Sequence, residues 1–357
     1  MRWTEPAVWR ERARGATVDA HTRELGGLEQ LRAVREKPAM FHLTGTTFDS
    51  AAPGEALFSM PITGWLRSPQ GAVPGGLLTI PADGALGCAI HTGLAAGTAY
   101  TTAELSITYV RPARVAARVQ AHGHALHVGR SIAHSSCDIT DPEGVLLAHA
   151  TSRCIVFGSP ADAPQRSGMA PPPPAGAHGD EPGSDVDPYL REPSGTVLEQ
   201  AVWNSMSGLE VLRAHIAGTL PPPPLHHLLG LTPVQADEGG AECVMPLTGW
   251  LNTPWGWPQG GFIAVLADTA LGMAVQTTIP PASAFAQIDL KVNYLRPVAP
   301  DGSLLHARAT VAHRGRSLAV ATAEIVDESG RRVAMATGSA QVLSGRSASL
   351  EAVSPKP

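Results

Sequence analysis

The chain has 357 residues, 43% of them hydrophobic, and a formal net charge of −5 at pH 7; this supports a buried core and, by length, two domains. The absence of a basic stripe argues against a partner held through nucleic-acid phosphates, and no apolar run approaches the ~18 residues of a membrane span. Four cysteines (Cys88, Cys137, Cys154, Cys243) without CxxC spacing, and an N-terminus without an apolar signal region, lead us to expect no disulfide framework, no zinc ribbon and a cytoplasmic location.

Residues 1–26 read as a loosely helical arm. Residues 27–158 form a first domain and 196–345 a second. The stretch 159–195 between them is rich in Pro, Gly, Ala and Asp, with four consecutive prolines at 171–174. It reads as a solvated linker, partly polyproline II. In the second domain, residues 209–217 are apolar at helical spacing and stopped by Gly218. His226-His227 follows a proline run and reads as loop. Residues 231–246 look like strand, split by a turn at Glu238-Gly239-Gly240. From Gly260 to about Thr277 the chain is apolar nearly all round (Phe262, Val265, Leu266, Leu271, Val275), the pattern of a buried helix. Ile288, Leu290, Val292 and Tyr294 then alternate with Asp289, Lys291 and Asn293, as in a half-buried strand. Runs at 304–313, 318–326 and 333–343 follow, separated by glycine turns. Residues 346–357 are a tail. One long helix wrapped by a curved antiparallel sheet is an α+β arrangement.

An internal repeat organises the chain. The segment 64–88, GWLRSPQGAVPGGLLTIPADGALGC, matches 249–273, GWLNTPWGWPQGGFIAVLADTALGM, with 12 of 25 positions identical and an offset of 185. Tyr109-Val110-Arg111-Pro112 matches Tyr294-Leu295-Arg296-Pro297 at the same offset. So long a period excludes a solenoid and indicates one duplicated domain.

Each copy resembles a hotdog-fold acyl-CoA thioesterase of the PaaI-like type. The resemblance rests on a Gly-Gly turn opening the central helix (Pro74-Gly75-Gly76 and Gln259-Gly260-Gly261). An aspartate follows at Asp83 and Asp268, then the Tyr-x-x-Pro strand end, then His127-Val-Gly-Arg130 and His313-Arg-Gly-Arg316. It implies a tandem, double hotdog whose sheets are continuous. It also implies hydrolysis of an acyl-CoA or acyl-carrier thioester, with no metal or redox cofactor and coenzyme A only as part of the substrate. A homodimer of double hotdogs is compatible with it. The family's histidine before Gly-Gly is replaced in both copies, by Pro74 and Gln259.

Thioester hydrolysis needs an oxyanion donor and a base or nucleophile. A helix N-terminus offers unpaired N–H groups, and Gly75 and Gly260 stand there. Asp83 and Asp268 follow two turns on, ~11 Å along the same helix, so the Gly and Asp of one site are expected from opposite copies. One site then combines Gly260, Gln259 and Asn252 with Asp83 and Thr102. The other combines Gly75, Pro74 and Arg67 with Asp268 and Gln287; Gly261 and Gly76, with Gln259 and Trp257, are expected to contact substrate. Asn252 and Thr102 correspond to the family's Asn and hydroxyl, which makes the Asp83 site the better equipped. Pro81 tells against it, because a proline inside the helix kinks it or removes a bond near Asp83.

Several readings stay open at this level. Each aspartate acts as base or nucleophile, or only braces the interface. Asn252 is a site residue or a turn residue; Thr102 is a site residue or an ordinary strand threonine. Trp250, Trp255 and Trp257 wall an acyl pocket or pack the interface. Arg130 and Arg316 bind coenzyme A phosphates or form surface ion pairs. His122, His124 and His127 alternate on one strand, but no carboxylate completes a metal set at ligand spacing, so they read as a solvated face. A non-catalytic acyl-binding module and a hydratase on the same fold are the alternatives to hydrolysis.

Overall fold

The computed structural model describes residues 15, 17–34, 36–158, 186–343 and 345. In the first half, short helices α1 (Ala20–Arg23), α2 (Gly27–Ala33) and α3 (Ala39–Thr44) precede β1 (Thr47–Ala52) and β2 (Glu55–Pro61). Helix α4 (Thr79–His91) and strands β3 (Ala99–Tyr109), β4 (Arg118–Val128), β5 (Ile132–Thr140) and β6 (Leu146–Phe157) follow. The second half repeats the plan. Helices α5 (Gln200–Ser205), α6 (Gly208–Ala217) and α7 (Pro224–Leu229) lead to β7 (Thr232–Asp237) and β8 (Gly240–Pro246). Then come α8 (Gly260–Gln276), β9 (Ala284–Tyr294), β10 (Leu304–Arg314), β11 (Leu318–Val326) and β12 (Arg332–Leu343).

All twelve strands join one antiparallel sheet in the order β1-β2-β4-β5-β6-β3-β9-β12-β11-β10-β8-β7. The order is a palindrome of the two halves, and the seam is β3 against β9. There Leu105 faces Val292, and Ile107 faces Leu290. All four side chains are buried. Lys291 reaches across to the buried Glu104 at 3.7 Å, and Arg153 holds the same carboxylate at 2.6 Å.

The two central helices meet beneath this seam and run antiparallel, because Gly261 lies beside Thr79 and Ile80 while Asp268 lies beside Gly76. Helix α8 is buried on every face, as its uninterrupted apolar sequence requires. In the first half the same segment is divided. A 3-10 turn spans Gly75–Leu78 and the α-helix starts only at Thr79. Pro81 therefore sits in the first turn, where no backbone donor is needed, instead of breaking a helix interior. The expected kink is replaced by a delayed helix start, and Asp83 keeps its place.

Sequence boundaries hold closely in the second half. Helix α6 begins at Gly208 because Ser207 and Glu210 form a capping box, with the Ser207 N–H donating to Glu210 Oε2 at 2.7 Å. Two expectations need correction. His226 and His227 lie on α7, not in a loop, because Pro224 occupies a favoured first-turn position. Residues 186–195 of the expected linker are packed on the first half: His42 Nδ1 lies 2.6 Å from Asp187 Oδ1, and the Trp65 indole donates to the Arg191 carbonyl at 3.0 Å. Residues 159–185, 346–357 and most of the first sixteen lie outside the described residues.

The seam gives a direct stability test. Leu290→Ala should cost about 2–5 kcal/mol, because the site is closed on both sides and cannot collapse freely. Chemical denaturation of both proteins measures it.

Candidate active site

Burying a carboxylate in an apolar helix pair is costly unless its oxygens are hydrogen-bonded. Asp268 is 1% exposed and Asp83 8% exposed. Each finds its partner on the opposite helix. The Gly76 N–H donates to Asp268 Oδ2 at 3.0 Å, and the Gly261 N–H donates to Asp83 Oδ2 at 3.0 Å. The approach leaves no room for a side chain. A Cβ on Gly76 would lie 2.5 Å from that of Asp268. Thr79 Oγ1 also donates to the Gly261 carbonyl at 2.9 Å, and Gln259 Nε2 to the Ile80 carbonyl at 2.9 Å.

The two aspartates are not equivalent. Asp268 Oδ1 accepts from the Tyr109 hydroxyl at 3.1 Å and from Gln287 Nε2 at 2.9 Å. At Asp83 both Gly260 and Gly261 turn their N–H groups toward the carboxylate. Thr102, which stands where Gln287 does in the other half, lies beside Cys154 Sγ at 4.0 Å and makes no hydrogen bond to Asp83 among the described residues. Tyr294, the counterpart of Tyr109, donates to the Gly260 carbonyl at 3.0 Å instead. Burial dominates both titrations. It pushes Asp83 up to about 6 and Asp268 up to about 7, against the opposing hydrogen bonds.

A cavity of about 390 Å³ opens onto Asp268. Gly75, Tyr109 and Gln287 line it, with Trp203, Met206, Leu212 and Leu225 forming apolar wall. Gly75 is on the wall and Gly76 is not, so the adjacent glycines divide the work: Gly76 holds the carboxylate and Gly75 faces the space. Among the described residues the Gly75 N–H has no hydrogen-bond partner. Gln70 and Gln276 also line the cavity and bond to each other at 3.3 Å. Their counterparts near Asp83 are Trp255 and His91, whose rings meet at 5.2 Å. Trp257 replaces Ala72 in the same way.

The other sequence-derived residues fall as follows. Gln259 is buried beside Asp83, and its Oε1 has no partner. Asn252 bridges to Pro258 through its backbone, and its buried Oδ1 is also unpaired; it does not bond Asp83. Arg67 is exposed and does not line the cavity. Arg130 and Arg316 are exposed in hairpin turns, away from the cavity, and neither makes an ion pair among the described residues. Their long side chains point from strand ends into solvent, where nothing fixes them. Tyr109 and Gln70 were given no role in the sequence; the repeated Tyr-x-x-Pro was the available signal for Tyr109.

Raised aspartate pKa values mean that the folded chain binds more protons than the unfolded chain between about pH 4 and 7. Stability should therefore fall as pH rises through that window. Asp268→Asn should raise the melting midpoint by about a few degrees at pH 8 and change it little at pH 4. Equal shifts at both pH values in thermal melts would contradict burial as the cause.

The thioesterase superfamily model matches residues 70–148 and 260–334, one segment in each half. An esterase-named protein of Vibrio cholerae is 29% identical over 133 residues, covering 37% of this chain and 84% of the relative. A 1,4-dihydroxy-2-naphthoyl-CoA hydrolase of Listeria monocytogenes is 27% identical over 104 residues, covering 29% of this chain and 83% of the relative. Among solved structures, a TesB protein of Mycobacterium avium subsp. paratuberculosis superposes with a TM-score of 0.51 at 14% identity. A hot dog fold protein of Alicyclobacillus acidocaldarius also gives 0.51, at 15% identity. Each alignment covers 85% of this chain and 97% of the other, so both halves are included. The fold is the hotdog fold, a segment of each half is similar to the thioesterase superfamily, and these matches support a thioester hydrolase.

Proposed function

We propose that the chain is a tandem, double hotdog that hydrolyses an acyl thioester of coenzyme A or of an acyl carrier to the free acid and thiol, working at the Asp268 site. The observation that carries this reading is the juxtaposition, at Asp268, of a buried aspartate, a Gly75 N–H without a partner among the described residues and a cavity that both residues line. The acyl group would lie among Trp203, Met206, Leu212 and Leu225, with the carbonyl oxygen toward the Gly75 N–H. The Asp268 carboxylate takes a proton from water, and the oxygen adds to the carbonyl carbon. The Gly75 N–H holds the negative charge on the former carbonyl oxygen. The carbon–sulfur bond then breaks, and the proton on Asp268 passes to the departing thiolate.

The residues around Asp268 suit this task. Gly76, Tyr109 and Gln287 fix both carboxylate oxygens, and desolvation makes the group a stronger base than an exposed aspartate. The Asp83 site has comparable backbone geometry, but Gly260 and Gly261 both face the carboxylate, and Trp255 and Trp257 stand where the other site has Gln70 and Ala72. We assign that side a bracing role. The reading requires no metal or redox cofactor.

Thiol release from a panel of acyl-CoAs, aliphatic and aryl, tests the assignment. Asp268→Asn should lower kcat about 10²–10⁴-fold, while Asp83→Asn keeps most of it. The reverse pattern would move the reaction to Asp83. The acid limb of kcat/KM should fall near pH 7, the value for Asp268. Gln70→Trp, which copies the Asp83 side, should raise KM or abolish turnover by filling the cavity while leaving the fold intact by circular dichroism.

A further inference from the structure

On the outer face of the first half's sheet, three side chains from neighbouring strands converge. His122 and His124 are two residues apart on β4 and so share a face, with ring centroids 4.1 Å apart. Glu55, at the start of β2, is directly opposite His124 in the ladder. Its Oε2 lies 3.6 Å from His122 Nε2, and its Oε1 lies 3.7 Å from His124 Nδ1. One ligand atom from each residue falls within 4.8 Å of the others. This supplies the carboxylate that the linear sequence did not offer: it comes from the adjacent strand, 67 positions before His122.

The separations are too long for hydrogen bonds and suit a bridging ion. Two ligands each about 2.1 Å from a tetrahedral ion are about 3.4 Å apart. The base is rigid. Gly123, between the two histidines, faces inward, and a Cβ there would lie 2.2 Å from the Ala85 carbonyl oxygen of α4. The strand is thus pressed onto the central helix at the point where both imidazoles leave it. Two other histidine–acid pairs have closed to hydrogen-bond distance with one imidazole each, the exposed His149 with Asp138 and the part-buried His306 with Glu242, both at 2.7 Å.

We propose that Glu55, His122 and His124 form a binding site for a first-row divalent transition-metal ion, with Zn²⁺ as the representative. Two imidazoles and a carboxylate match that class and not Mg²⁺ or Ca²⁺, which favour all-oxygen sets. The three side chains are half exposed, so an ion has access and keeps a water in its fourth position. An ion there ties β2 to β4. None of the three residues lines the Asp268 cavity, so the site is independent of hydrolysis.

The test is calorimetric titration of tag-free, EDTA-treated full-length protein with ZnCl2. One ion per chain should bind saturably, and MgCl2 should give no matching signal. His122→Ala or His124→Ala should weaken binding about tenfold or more, and Glu55→Gln should weaken it to a smaller extent. Zn²⁺ should raise the melting midpoint of the wild type and not that of the double histidine variant. Acyl-CoA hydrolysis by the double variant should equal that of wild type. No saturable heat with millimolar Zn²⁺, or equal uptake by the double histidine variant, would overturn the site.

Discussion

The structure depends on two buried carboxylates exchanged between antiparallel helices. Asp83 stands between Ala82 and Gly84, and Thr269 beside Asp268 donates its hydroxyl to the Val265 carbonyl, so no neighbour in sequence offsets either burial. Each is satisfied by the N–H of a glycine at the start of the other helix. This fixes how far α4 and α8 slide along each other, because a shift of one residue would leave a buried charge without its donors. It also requires glycine at the contact, since the aspartate occupies the space of a Cβ. With the helices locked, β3 and β9 are brought side by side and the two halves close into one sheet.

Duplication made the two contacts equal in principle, and substitution made them unequal. The positions that differ lie around the aspartates, not on them: Gln70 against Trp255, Ala72 against Trp257, Gln276 against His91, and Gln287 against Thr102. The first three pairs contrast polar or small side chains around the cavity with rings on the other side. The last gives Asp268 a donor that Asp83 lacks. Under the proposed function a duplicated domain divides its labour in this way, with the Asp83 interface kept for packing and the Asp268 interface open to a substrate.

Much of this was legible in the sequence. The repeat, the apolar run of α8 and the alternation in β9 each reflect a strong local constraint. The distance along one helix between Gly-Gly and Asp already required the partner to come from the other copy. What could not be read was which aspartate faces space. Asn252 and Thr102 fit a family pattern by position, yet neither side chain makes a hydrogen bond to Asp83 among the described residues. The decisive contrast, paired glutamines against a Trp255–His91 contact, depends on residues 206 and 164 positions apart that only the fold joins. Pro81 shows the same limit: its effect depends on where the helix starts, which a 3-10 turn sets. The Glu55–His122–His124 triad likewise needs strand register to become visible.

A crystal structure with a non-hydrolysable thioether analogue of an acyl-CoA tests the division between the sites most directly. The analogue should occupy the cavity at Asp268, with the oxygen that replaces the thioester carbonyl within hydrogen-bond distance of the Gly75 N–H. Density at Asp83, with the Asp268 cavity empty and Trp255 displaced from His91, would contradict it.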